Sequence, residues 1–132
     1  MIYADLEIEV PVLFLNRATD QAPLIARTYV AEQLTTWGVT SHDDTLTVVS
    51  ELVTNAYRHA GGGPITVRVS LKDARFVAIE VWDPSSREPV VLAPDLTAEG
   101  GRGMFMVACL AFEWGLRHED GGKIVWAWIP VT

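Results

Sequence analysis

The stretch SHDDTLTVVSELVTNAYRHAGGGPITVRVSLKDARFVAIEVWD, residues 41–83, decides the fold. In its first half Leu46, Val49, Leu52, Val53, Ala56 and Tyr57 recur at helical spacing, which predicts a helix from Ser41 to about Ala60. Ser41 with Asp44 three residues later has the form of a capping box, and Gly61-Gly62-Gly63 ends the run. The period then changes from 3.6 to 2. Ile65, Val67, Val69 and Leu71 alternate with Thr66, Arg68 and Ser70, Lys72-Asp73-Ala74 supplies a turn, and Phe76 through Trp82 is almost wholly apolar. A hairpin whose second strand is central accounts for both patterns, because a strand covered on both faces has no polar side to keep.

Working outward, the segment from Asp5 to Phe14 alternates. Leu6, Ile8, Val10, Val12 and Phe14 share one face and Asp5, Glu7 and Glu9 the other, as expected of a half-buried edge strand with its charges in water. Asp20 stands where it would cap a helix running to about Trp37. That helix would bury Ala22, Ile25, Ala26, Tyr29, Val30 and Leu34 and stop at Gly38. On the other side, residues 84–101 have no periodicity and are broken by Pro84, Pro89, Pro94, Gly100 and Gly101. Loops beyond about 12–15 residues usually serve a function. Met104 to Phe112 reads as a helix apolar on every side. Strands near Glu113–Arg117 and Lys123–Ile129 follow, joined by Glu119-Asp120-Gly121-Gly122. The expected fold is α+β: a two-layer α/β sandwich with a mixed, mostly antiparallel sheet and its helices on one face.

The chain of 132 residues has the size of a single domain, 1–132. Ten Lys+Arg against 17 Asp+Glu give a net charge of −7, which argues against affinity for nucleic acid or an anionic membrane. Hydrophobic residues at 49% and charged ones at 20% allow a substantial core and exclude a disordered chain. The one cysteine, Cys109, excludes an internal disulfide and suits a reducing compartment. No segment has the ~18 consecutive apolar residues of a membrane span, and the acidic start is unlike a signal peptide. A soluble, cytoplasmic domain is expected.

Several residues could carry chemistry. Glu51 and Asn55, four apart, share one helix flank beside the apolar stripe. A neutral amide oxygen suits Mg²⁺ and a carboxylate can take a proton from a hydroxyl, although a solvated flank would look the same. Gly100-Gly101-Arg102-Gly103 precedes a helix, whose unpaired N–H groups and positive dipole end make an anion site; a simple turn is the alternative. Asp83 ends the central strand. Ionised, it only accepts hydrogen bonds and could select an exocyclic amino group, or it could merely form a turn. His59 and His118 have no neighbours at ligand spacing, His42 stands in a capping context, and no nucleophile motif surrounds Ser85 and Ser86.

Taken in order, Glu51-Leu52-Val53-Thr54-Asn55-Ala56, Asp83 at a strand end and Gly101-Arg102-Gly103-Met104 at a helix start resemble the asparagine and glycine boxes of the GHKL ATPase superfamily. The likeness runs from about Ala22 to Pro130. With the closing strand Gly122-Lys123-Ile124-Val125-Trp126, it is greatest to the stand-alone anti-sigma factor serine/threonine kinases. The resemblance implies a Bergerat ATP-binding fold with the loop from Pro84 to Arg102 as lid. It implies Asn55 on Mg²⁺, Glu51 as catalytic base and Asp83 as acceptor of the adenine amino group. Gly101, Gly103 and Met104 would stand at the phosphates with Arg102, and His59 would line the site. It also implies ATP and Mg²⁺ as cofactors, a sigma factor and an anti-sigma antagonist as protein partners, and homodimerisation. The alternative is a non-catalytic module whose protein binding responds to ATP. Two departures fall on the base side: Asp83-Pro84-Ser85 replaces the usual Asp-x-Gly, and apolar Ile124 stands nearest to where a threonine is common.

Overall fold

A computed structural model describes residues 11–89 and 102–131. The elements are β1 (Val12–Leu15), α1 (Ala22–Thr36), α2 (Asp43–Ala60), β2 (Ile65–Lys72), β3 (Phe76–Asp83), α3 (Arg102–Leu110), β4 (Glu113–Glu119) and β5 (Gly122–Pro130). The strands form one sheet in the order β1-β2-β3-β5-β4, with every pairing antiparallel. The apolar run predicted to be central, β3, is the middle strand.

Register explains where the core lies. Val67 pairs with Val81, Val69 with Ile79, Ile79 with Ala127 and Val81 with Val125, so the inward side chains of three strands form continuous rows. All of these are buried, and α1 and α2 lie on them through Ala26, Val30, Leu34, Val48, Val49, Leu52, Val53 and Ala56. Each valine or leucine among them contributes about 1.5–3 kcal/mol relative to exposure. The two layers of the α+β sandwich are held by this interface. The opposite face of the sheet carries no helix among the described residues. It presents Trp82, Trp126, Trp128 and Arg68, with Arg117 bonded to Glu80 at 2.9 Å and Glu119 at 3.0 Å.

Gly38 ends α1 at φ +74. Its N–H donates to the Thr35 carbonyl and that of Val39 to the Leu34 carbonyl, a Schellman closure that only a residue tolerant of the left-handed region makes without strain.

Five local expectations are corrected. Residues 5–10 lie outside the described residues, and in β1 the faces are the reverse of those expected. Val12 and Phe14 are 42% and 60% exposed while Leu13 and Leu15 pack on the core, because pairing with Val67 and Ile65 turns the odd residues inward. Ile25 of α1 is 43% exposed; Ala22, Ala26, Val30 and Leu34 make the buried stripe. α2 starts at Asp43 with His42 at the cap position, and the His42 Nε2 is engaged with the Val39 carbonyl instead. α1 likewise has Gln21, not Asp20, at its cap position. α3 is buried on one side only: Met104 and Val107 are in the core, Met106 is 38% exposed, and Phe112 lies beyond the helix.

Candidate functional site

Glu51, Asn55 and His59 occupy successive turns along one flank of α2, each half-buried. The inward neighbours Leu52, Val53 and Ala56 anchor the helix to the sheet, so the flank is held in place by the core. The first turn of α3 comes up against this flank. A Cβ on Gly103 would collide with the Glu51 Oε2, so the carboxylate lies directly over that turn. The fold therefore brings Glu51 to the second glycine region, which is remote from it in the chain.

The Nδ2 of Asn55 and the Nδ1 of His59 are buried and have no hydrogen-bond partner among the described residues. Buried polar atoms are nearly always bonded, and leaving one unpaired costs about 1–3 kcal/mol. Two on one flank suit a polar ligand seated there, and the Asn55 amide and Glu51 carboxylate fit a metal–phosphate group. Burial lowers the His59 pKa below its ordinary 6.5, Lys123 and Arg87 push it further down, and Asp83 opposes them. The imidazole is consequently neutral at pH 7. The unfolded chain takes up a proton near pH 6.5 and the folded chain only at lower pH, so acidification favours unfolding. The urea midpoint is expected to fall from pH 6.5 downward more steeply in wild type than in His59→Gln. Coincident profiles would show that His59 carries no such linkage.

At the end of β3, Asp83 is 1% exposed and faces its Cα partner Lys123, which is 0% exposed. The Lys123 Nζ donates to Oδ1 at 3.0 Å and is ion-paired with Oδ2 at 2.9 Å. The Oδ1 also accepts the Ser85 N–H at 2.8 Å, and the Ser85 Oγ accepts the Arg87 N–H at 3.0 Å. The Asp-Pro-Ser departure thus forms an Asx turn in which the glycine of the usual pattern has no counterpart. The close approaches it needs are made by glycines elsewhere. A Cβ on Gly122 would run into the Asp83 carbonyl and lie 2.9 Å from the Pro84 Cα, and one on Gly63 would be 3.3 Å from the Pro84 Cγ.

Ile124 does not share the face of Lys123. It lines the outer face beside Trp82 and Glu119, and the inward residue at this level is Lys123. The sequence signal for this was present. Lys123, Val125, Ala127 and Ile129 alternate in one phase, so the lysine belongs to the core face. Met104 is 2% exposed within the core cluster. Arg102 opens α3, but its side chain, like the whole of Gly101, lies outside the described residues. His118 is on the surface with its Nε2 3.8 Å from Glu88.

No helix among the described residues is long and apolar enough to cross a membrane. Among curated proteins, none matches the chain by sequence. Among solved structures, the chain is similar to the RsbU and RsbW domains of Rv1364c from Mycobacterium tuberculosis, with 24% identity and a TM-score of 0.66. That match covers 92% of this chain and 32% of the other, so the chain spans about a third of its neighbour's length. A further match is to the catalytic domain of the histidine kinase ThkA, with 13% identity, a TM-score of 0.48 and coverage of 92% and 97%. The model of the histidine kinase-like ATPase domain matches residues 15–129, which include the whole of α1 through β4, Glu51, Asn55, Asp83 and Gly103. The chain belongs to the histidine kinase-like ATPase domain family.

Proposed function

We propose that this chain is an ATP-dependent serine/threonine protein kinase of the anti-sigma type. It would phosphorylate a hydroxyl on a small antagonist protein and bind a sigma factor in alternation with it. The observation that carries this reading is the Glu51 carboxylate over the first turn of α3, on the flank where Asn55 and His59 have polar atoms without a partner among the described residues.

In this reading the side-chain oxygen of Asn55 holds Mg²⁺, and the backbone at Gly101 and Gly103 with Arg102 receives the phosphates. Bound Mg²⁺ neutralises phosphate charge. Glu51, half-buried over the first turn of α3, accepts the proton of the attacking hydroxyl. His59, neutral at pH 7, supplies a polar ring atom without adding charge. Asp83 meets the amino group of the base. Acidic overall, the chain then acts on proteins and not on nucleic acid or membrane.

Purified protein with Mg-ATP and its cognate antagonist is expected to transfer phosphate, and Glu51→Gln to slow transfer by about 10²–10⁴-fold while ATP still binds. Equal transfer by wild type and Glu51→Gln would remove Glu51 from the chemistry. A second reading, a non-catalytic module responding to ATP, is favoured by one observation: Asp83 is already engaged by Lys123. Calorimetry separates the two. Mg-dependent ATP binding with no transfer selects the module, and no binding at millimolar ATP excludes both.

A further inference from the structure

The sheet face opposite the helices carries Trp82, Trp126 and Trp128, all half-buried, and has no part in the nucleotide reading. We propose that this face docks an acidic, extended segment of a partner protein. The segment would carry two carboxylate residues four apart, with a bulky apolar residue midway between them, and run alongside β2.

Register builds the groove. Arg68, Ser70 and Lys72 alternate outward along β2. Ser70 pairs with Ala78 of β3, and Ala78 with Trp128 of β5. Serine and alanine are small, so this middle row forms a floor between the cations of β2 and the indoles of β5, under a cavity of about 470 Å³. The indoles are fixed in place. Trp126 lies so close over the β4 backbone that a Cβ on Gly115 would stand 2.6 Å from its Cζ2, and the Lys72 Nζ is 5.3 Å from the centroid of the Trp128 ring. Rigid tryptophans beside arginine are the side chains that contribute most to binding where proteins meet.

Charge selects the occupant. Arg117 is already engaged by Glu80 at 2.9 Å and Glu119 at 3.0 Å. Arg68 and Lys72 are exposed and have no carboxylate partner among the described residues, a local cationic excess on a chain of net charge −7. Four residues of strand separate them by about 13 Å. An extended segment repeats its side chains at the same interval. Carboxylates at its first and fifth positions can therefore meet both cations, while the third side chain enters over Ser70 and Ala78. A second copy of this chain is a poorer match, because it would bring the same two cations and carboxylates that Arg117 already holds. Single-stranded nucleic acid is poorer too, since Glu119 and Asp120 line the adjoining cavity and would repel phosphates.

The test uses a short peptide with two glutamates four apart, a phenylalanine midway and serines elsewhere. A control peptide has lysines in place of the glutamates. Neither contains tryptophan, so the indole emission of the full chain reports binding. At low salt the glutamate peptide is expected to change the emission saturably below about 1 mM, and the lysine peptide to bind about tenfold more weakly or worse. Added salt should weaken the glutamate peptide. Arg68→Glu with Lys72→Glu alters two exposed side chains, so the fold should survive and the preference between the peptides should reverse. No saturable change with the glutamate peptide, equal binding of the two peptides, or wild-type behaviour of the double variant would overturn the proposal. Tighter binding of oligothymidylate than of the glutamate peptide would overturn it in favour of nucleic acid. Sedimentation showing a dimer that the double variant dissociates would assign the face to a second copy, and overturns it equally.

Discussion

Asp83→Ala is expected to cost about 3–5 kcal/mol of folding stability, a large part of the ~5–15 kcal/mol that a domain possesses. The reason lies in what remains after the change. Lys123 is 0% exposed and among the described residues its ammonium is paired with Asp83, at 2.9 and 3.0 Å, so truncation strands a cation in the core. Water cannot reach it without opening the junction of β3 and β5. Replacing both members, Asp83→Asn with Lys123→Met, should recover most of the loss, since a buried ion pair exchanged for neutral groups of similar volume is often neutral or stabilising. Urea unfolding at pH 7 measures both. A cost below about 1 kcal/mol for Asp83→Ala would mean that the pair is open to solvent in solution.

The same substitution at two glycines is expected to give opposite results. At Gly122 the added methyl meets backbone, the Asp83 carbonyl and the Pro84 Cα, neither of which can move without parting the strands. Gly122→Ala should lose about 3 kcal/mol, the upper end of ordinary overpacking. At Gly103 the methyl meets the far end of the flexible Glu51 side chain. Gly103→Ala should fold normally, with stability within about 1 kcal/mol of wild type, because alanine also favours a helix over glycine. Its effect falls on Glu51, which must swing away. A displacement of about 1 Å of a reacting group can cost about 10²-fold in rate, so phosphate transfer should drop by about that factor. Thermal unfolding and label transfer, run side by side, test both variants. Full transfer by Gly103→Ala would show that the observed place of Glu51 is unimportant, and wild-type stability in Gly122→Ala would show that the strand ends are looser than described.

These outcomes turn on contacts that were legible to different degrees. The helix carrying Glu51, Asn55 and His59 was readable because its stripe of Leu52, Val53 and Ala56 recurs at 3.6 residues, and the flank position follows from that period. The hairpin of β2 and β3 was readable from the change of period at Gly63, and the central place of β3 from its apolar run. The faces of β1 were not. Residues 12–15 are all apolar, so alternation within them is silent, and the choice is made by which residues pair with Val67 and Ile65. Capping of α2 was misread for a related reason. Ser41, His42, Asp43 and Asp44 are all capable of standing near a helix start, and the turn that closes α1 through Val39 determines which one does.

Local spacing alone therefore settles which segments are helices and strands, their order, and the flank on which Glu51 and Asn55 lie, because each depends on neighbours within a turn or two of chain. The alternation that turns Lys123 inward and Ile124 outward is readable in the sequence, but the partner of Lys123 is not. The ion pair with Asp83 exists because β5 returns beside β3 in one particular register, 40 residues on. The contact of Gly103 with Glu51 likewise requires α3 to fold back over α2. Both are long-range placements fixed by packing of the whole sheet and its helices, and no local pattern encodes them.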